Sequence, residues 1–153
     1  MKKKKIVVAV SGGFDPVHIG HVRLFREAKK LGDKLVVILN NDNWLSLKKG
    51  KSFMSEEERK EVIESIRYVD EVILTHHELG TTDMSVCREL KELKPDIFAN
   101  GGDRKPDGDP VPEVELCKDL SIKMVYNVGP GGKVQSSSWL LESYKKSYDR
   151  KGS

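Results

Sequence analysis

Apolar residues along this chain gather in short runs at Ile6 to Val10, Leu35 to Leu39, Glu71 to Leu74, Asp96 to Ala99 and Ile122 to Tyr126. Each run has the length of a strand, and segments of helical spacing separate them. The first such segment, about Ile19 to Leu31, sets Val22, Phe25 and Ala28 with Leu24 and Leu31 on one side, while Arg23, Arg26, Lys29 and Lys30 face outward. Gly32 then stops it, as glycine does beyond a helix end. Ser55 followed by Glu58 predicts a capping box, with Val62, Ile63 and Ile66 as the buried stripe of a second helix. Met84, Cys87 and Leu90 recur at threefold spacing in a third helix from about Thr82 to Leu93, ended by Pro95. Pro112 opens a fourth, to Asp119. The last starts within Ser136-Ser137-Ser138 and runs through Trp139, Leu140, Leu141 and Tyr144, with fraying expected over 146–153.

Strands alternating with helices predict a parallel sheet covered on both faces. Right-handed crossovers make it an α/β fold: a Rossmann-like doubly wound five-stranded parallel sheet, strand order 3-2-1-4-5, with helices on both faces. In such a sheet the site lies outside the carboxyl ends of the strands. One domain over 1–153, with its core in about 6–145, accounts for the length.

Composition narrows the setting. Hydrophobic residues at 37% and charged residues at 33% indicate a compact, water-facing chain rather than a disordered one. No apolar run approaches the ~20 residues of a membrane helix, so no membrane partner is expected. Met1 to Lys5 is basic, but the apolar stretch behind it ends at Ser11-Gly12-Gly13 with no small-residue cleavage site, which makes it a solvated lead-in to the first strand. The net charge of +3 is spread among acidic residues, apart from Lys2 to Lys5 and Lys48 to Lys51, and does not suggest a nucleic-acid partner. Cys87 and Cys117 lie on apolar faces of separate helices without the spacing of a zinc site or a disulfide framework, as suits a reducing cytoplasm. His76-His77-Glu78 is a conceivable metal site, but it reads rather as a solvated turn after the third strand, and no protein metal site is expected.

The chemistry concentrates behind the first strand. Ser11-Gly12-Gly13-Phe14-Asp15-Pro16-Val17-His18-Ile19-Gly20-His21 is a glycine-bearing loop that runs into a helix N-terminus, where unpaired N–H groups and the helix dipole favour phosphate. His18 and His21, three apart, fall on one face of the first turn, and Gly20 between them permits close approach of a ligand. The loop matches neither GxGxxG nor GxxxxGK[ST], which argues against a hydride-transfer enzyme and a P-loop NTPase.

GGFDPVHIGH resembles the first signature of the HIGH-motif nucleotidyltransferase superfamily, which includes cytidylyltransferases and adenylyltransferases. Gly32 to Val37, Asn41-Asp42, Glu58-Arg59-Lys60 and Ile66 to Val72 are similar to the glycerol-3-phosphate cytidylyltransferase branch, whereas Pro95 to Asp103, with Gly101-Gly102-Asp103, is more similar to heptose-1-phosphate adenylyltransferases. Lys133 to Leu140 resembles the family's second signature, with Lys133 where cytidylyltransferases usually carry an arginine.

The resemblance implies transfer of CMP or AMP from CTP or ATP to a small phosphorylated sugar or polyol, with release of pyrophosphate and with Mg²⁺ carried by the nucleotide. His18 and His21 would donate hydrogen bonds to the triphosphate and its transition state. It places a phosphate-contacting lysine in what looks like a loop before the second helix, with Lys48 and Lys49 as the choices for the catalytic role and Lys51, like Arg59, for the substrate phosphate; a solvated loop is the alternative for any one of them. Gly12, Gly13, Phe14, Asp15 and Gly20 would cradle the nucleotide with Ser136, Ser137 and Ser138, a second anion-binding helix start. Arg59 and Arg67 fall where the family has phosphate-meeting arginines; surface ion pairing with Glu56 or Glu64 is the competing role. Gly101, Gly102 and Asp103 would border the base, or Asp103 merely end the strand. Relatives also imply a homodimer. Competing readings are an adenylyltransferase acting on phosphopantetheine, nicotinamide mononucleotide or FMN, and a non-catalytic nucleotide-binding module of the same fold.

Overall fold

A computed structural model describes residues 4–101, 112–129 and 136–151, with Arg150 and Lys151 by backbone alone. In chain order the elements are β1 (Val7–Gly12), α1 (Ile19–Lys29), β2 (Lys34–Leu39), α2 (Asp42–Lys49), α3 (Glu56–Glu64), β3 (Glu71–Leu74), α4 (Cys87–Leu93), β4 (Ile97–Ala99), α5 (Pro112–Asp119), β5 (Lys123–Val125) and α6 (Ser137–Lys151). The strands form one five-stranded sheet in the order β3-β2-β1-β4-β5, and every pair is parallel. Among the described residues, no helix is long and apolar enough to cross a membrane.

Alternation along β1 and β2 divides the core. Val8, Val10, Leu35, Val37 and Leu39 pack toward Phe25 and Ala28 of α1 and Ile63 of α3. Ala9, Ile38 and Phe98 pack on the opposite face with Val86, Leu90 of α4, Cys117 of α5 and Ile122. Successive side chains of a strand point to opposite faces, and a sheet covered on both sides buries both sets, which is why the inner strands read as unbroken apolar runs. Both cysteines are free thiols, Cys117 within the second cluster and Cys87 half-buried at the start of α4.

Several elements differ from their sequence patterns. The lysine-rich stretch before the second predicted helix is largely a helix of its own, α2, capped by Asn41, whose side chain accepts the Trp44 N–H at 3.0 Å, and closed by Gly50 at φ 83°. In α3 the buried pair is Arg59 and Ile63, and Val62 is 40% exposed, so the apolar stripe is narrower than predicted and a cation completes it. The predicted third helix begins only at Cys87. Its expected first turn is diverted because Asp83 Oδ1 accepts from the Ser85 N–H at 2.9 Å and from its hydroxyl at 2.6 Å, a local alternative to helical bonding. α6 stays helical to Lys151, through the segment expected to fray.

Gly32 is needed for a reason other than helix termination. The α1 C-cap is Lys30, and Gly32 lies outside the positive-φ glycines. A Cβ at Gly32 would stand 2.7 Å from the Ile6 carbonyl oxygen and 2.8 Å from Val8 Cγ2, where the chain turns back beside β1. Gly32→Ala is therefore expected to destabilise the fold by about 1–3 kcal/mol, the scale of overpacking, read from urea denaturation; unchanged stability would show that the turn yields freely.

Candidate active site

The loop after β1 is held from below. Phe14, at φ 49°, is in the left-handed region that side chains seldom adopt, and its ring is turned into the core at 5% exposure. It meets Phe25 edge-on at 5.2 Å and His21 edge-on at 4.8 Å between centroids. A Cβ on Gly12 would come within 2.8 Å of the same ring. The expectation that Phe14 touches nucleotide is thus corrected: it is a wedge between the core and the His21 ring. Gly12 is accounted for by this ring, and Gly13 by the closeness of Leu45 and Trp44, 3.0 and 3.2 Å from where its Cβ would lie.

Asp15 and Arg59 likewise have internal partners. Asp15 is 2% exposed, and its two carboxylate oxygens each accept a backbone N–H at 2.6 Å, from Phe53 and Met54. Arg59 has no solvent exposure. Its Nη1 donates to the carbonyls of Gly13 and Asn40, both at 2.7 Å, its Nε to that of Met54 at 3.0 Å, and its Nη2 to Asp42 Oδ1 at 2.7 Å. Neither the substrate-phosphate role nor surface pairing with Glu56 or Glu64 survives for Arg59, because its fork is taken up by carbonyls and one carboxylate inside the protein. Asp15, expected at the nucleotide, instead fixes the segment leading into α3.

The two histidines open α1 at the carboxyl end of β1. His18 is the N-cap; its Nδ1 accepts the Gly20 N–H at 3.0 Å, and His21 Nδ1 accepts the His18 N–H at 3.2 Å. An Nδ1 that accepts carries no proton, so each neutral ring bears its hydrogen on Nε2 and is a donor there. The rings stack at 3.7 Å between centroids, 26° from parallel. Burial, then the charges of His18 and Lys49, lower the His21 pKa from 6.5 to about 3. His21 is therefore an uncharged donor at neutral pH.

The second helix start is adjacent. Ser136 is buried, and its hydroxyl and carbonyl oxygens accept from the N–H groups of Trp139 at 3.4 Å and Leu140 at 3.0 Å. Ser137 Oγ donates to the Pro16 carbonyl at 2.8 Å, two residues before His18. The structure thus brings Ser136 and Ser137 to His18, Gly20 and His21, with Ser138 exposed in the following position. Lys49, in the last turn of α2, is near enough to His21 to depress its pKa, whereas Lys48 Nζ lies over the Trp44 ring at 4.7 Å. Lys51 is exposed just past Gly50. Gly101 follows β4 at the same sheet edge; Gly102, Asp103 and Lys133 lie outside the described residues.

Arg67 is not brought there. It follows α3 and precedes β3, hence belongs to the amino edge of the sheet, where neighbouring Asp70 accepts the Leu35 N–H at 2.7 Å and pairs with Lys29. Its guanidinium lies 5.6 Å from the Tyr68 ring centre. The nucleotide-binding expectation for Arg67 is corrected by topology, since the strands separate it from His18 and His21. His77, half of the conceivable metal turn, is buried, with Nδ1 2.8 Å from Thr75 Oγ1 and Nε2 2.9 Å from the Ser85 carbonyl. Among the described residues no group of three or more His, Cys, Asp or Glu side chains is placed to hold a metal. Trp44, Asn41 and the inward-facing Arg59 were missed as supports of the site; the Asn41 cap and Gly50 stop were the available signals.

Arg59→Met should lower stability by about 3–5 kcal/mol in urea titration, as loss of one partner from a buried charged network does. Arg59→Lys should recover little, because one ammonium cannot reproduce the fork; a stable Arg59→Met protein would refute the clamp. His21 predicts an acid dependence. Its folded pKa lies below the unfolded one, so its contribution is complete above pH 6.5 and is lost as pH falls from there toward about 3, at about 1.4 kcal/mol per unit. His21→Gln should flatten the fall in urea stability across that window, and parallel curves would overturn the assignment.

The cytidylyltransferase-like family model matches residues 9–124. FAD synthase of Thermococcus sibiricus is 36% identical over 125 residues, covering 81% of this chain and 81% of that protein. FAD synthase of Thermococcus kodakarensis is 41% identical over 104 residues, 67% of this chain and 66% of its own length. Among solved structures, the lipopolysaccharide core biosynthesis protein from Thermoplasma volcanium superposes with a TM-score of 0.65 at 32% identity, over 84% of this chain and 100% of that one. Pantoate-beta-alanine ligase from Francisella tularensis, at 17% identity, TM-score 0.58 and coverage of 90% and 65%, shares the fold. With these matches over a parallel 3-2-1-4-5 sheet, the chain belongs to the cytidylyltransferase-like family of HIGH-motif nucleotidyltransferases and is a nucleotidyltransferase.

Proposed function

We propose that this enzyme transfers AMP from ATP to FMN, forming FAD and pyrophosphate. The observation that carries the reading is the meeting of two helix starts, fixed by the Ser137 hydroxyl on the Pro16 carbonyl, around a pair of imidazole donors. The FAD synthase relatives support ATP and FMN over CTP and the sugar or polyol phosphates that the sequence patterns favoured.

A phosphate oxygen of FMN attacks the α-phosphorus of ATP, a new P–O bond forms, and the bond from the α-phosphorus to its bridging oxygen breaks as pyrophosphate departs. Charge builds on phosphoryl oxygens, so the protein's part is positioning and electrostatic stabilisation. The Nε2–H groups of His18 and His21 donate to those oxygens as their charge grows. With His21 uncharged, the stacked rings avoid mutual repulsion, while Lys49 supplies positive charge beside them. The α6 start adds N–H groups and its dipole from the other side. Mg²⁺ would arrive with the triphosphate, needing few protein ligands, and would supply further neutralisation of phosphate charge.

Purified enzyme with ATP and FMN should yield FAD and pyrophosphate in equal amounts, followed by chromatography of the flavins, whereas CTP with glycerol 3-phosphate should yield none. His18→Ala should reduce kcat by about 10²-fold or more, as removal of one transition-state donor does. FAD formation at wild-type rate in that variant would remove the role assigned to the ring, and absence of FAD with the wild type would remove the substrate assignment.

A further inference from the structure

Beside the end of β3 and the first turn of α4 lies a cavity of about 310 Å³ whose lining includes His76, Thr81, Asp83, Ser85, Arg88 and Glu89. Glu89 is 3% exposed. Its Oε1 accepts the His76 N–H at 3.2 Å, and its Oε2 has no hydrogen-bond partner among the described residues. A carboxylate oxygen removed from water and left without a donor is unfavourable. A ligand that presents an N–H would relieve it.

The cavity's place in the fold connects it with the reaction. β3 and β1 are two strand spacings apart, about 10 Å, and both end at the same edge of the sheet. Trp44 spans from one region to the other: its six-membered ring lies against Gly13, and its Nε1–H donates to the Met84 carbonyl at 2.9 Å. At the end of β2, between them, the buried Asn40 Oδ1 is a second acceptor without a hydrogen-bond partner among the described residues.

We infer that this cavity takes the isoalloxazine ring of FMN, with Glu89 accepting the ring's imide N–H and the ribityl chain crossing the end of β2; the inference rests on the FMN reading above. The imide N–H sits between two ring carbonyls. A carboxylate is the natural acceptor for the N–H, and Arg88 at the rim, with Nε alone facing Glu92 at 3.4 Å, carries further N–H groups suited to a carbonyl. The ribityl hydroxyls supply donors at the level of Asn40. Glu89 is thus a specificity residue, distant from the reacting phosphorus, that tells a flavin from other phosphorylated acceptors.

The test compares FMN with N3-methyl-FMN, which lacks that one donor, through flavin fluorescence titration and FAD-forming KM. Wild-type enzyme should bind the methylated flavin at least about tenfold more weakly, the scale of a lost hydrogen bond to a charged group. Glu89→Gln keeps the side-chain shape and an acceptor for His76 but turns an amide N–H toward the ring. In it the preference for FMN should shrink to within about threefold. Equal affinity of wild type for the two flavins, with FAD still formed from FMN, overturns the pocket and leaves the FMN reading standing. An undiminished preference in Glu89→Gln also overturns it. Failure of wild type to form FAD from FMN overturns both. The wild-type comparison decides the matter even where the variant does not fold.

Discussion

A guanidinium with no exposure to water has to be satisfied by the protein, and the way Arg59 is satisfied organises the carboxyl edge of this sheet. Its four hydrogen bonds reach the loop after β1 at Gly13, the end of β2 at Asn40, the entrance to α3 at Met54 and the first residue of α2 at Asp42. Three separate stretches of chain, the loop at Gly13, the β2–α2 junction at Asn40 to Asp42 and the α3 entrance at Met54, therefore share one cation and cannot shift independently. Asp15 doubles the tie by accepting from Phe53 and Met54, so the phosphate-facing loop is fastened to α3 through side chains of opposite charge.

On this base the histidines need little further arrangement. Phe14 presses on His21 from the core side, and the α1 start fixes both Nδ1 atoms as acceptors, which dictates where each ring hydrogen resides. The same packing that orients His21 withdraws it from water and keeps it uncharged. Orientation and protonation state thus share one origin. A donor held neutral and in place needs no reorganisation as charge develops on a phosphoryl oxygen, and that is the circumstance in which a hydrogen bond contributes most to catalysis.

Much of this was legible in the residues because the signals were local. The parallel sheet covered on both faces follows from alternation of apolar runs and helix periods, its strand order from the Rossmann-like class, and the phosphate-binding character of 11–21 from a glycine loop entering a helix. Illegible were interactions that need distant partners. Nothing near Arg59 in sequence shows that Gly13 and Asn40 will surround it, and a charged residue on a helix reads as solvent-facing unless those partners are known. Phe14 next to two glycines reads as a ligand-facing aromatic until the left-handed turn at φ 49° sends its ring inward. Asp83 and Ser85 shortened α4 by a side-chain bond that threefold apolar spacing does not register. α2 does carry local signals, its Asn41 cap and Gly50 stop, beneath a lysine-rich composition that reads as a solvated loop.

Arg67 shows why topology should outrank motif matching. A residue between a helix and the strand that follows it must lie at the amino edge of a parallel sheet, and the reaction belongs to the carboxyl edge. That exclusion needs only the order of elements along the chain. The converse holds for the acceptor. Segments after β3 end at the productive edge whatever their sequence, so residues 76–89 are favoured by topology to meet substrate even though they match no signature. Family likeness accordingly fixed the phosphoryl chemistry, which depends on the loop after β1. In the proposed reading, choice of acceptor falls to this region, where a buried oxygen such as Glu89 Oε2, without a hydrogen-bond partner among the described residues, says more than any pattern of residue types.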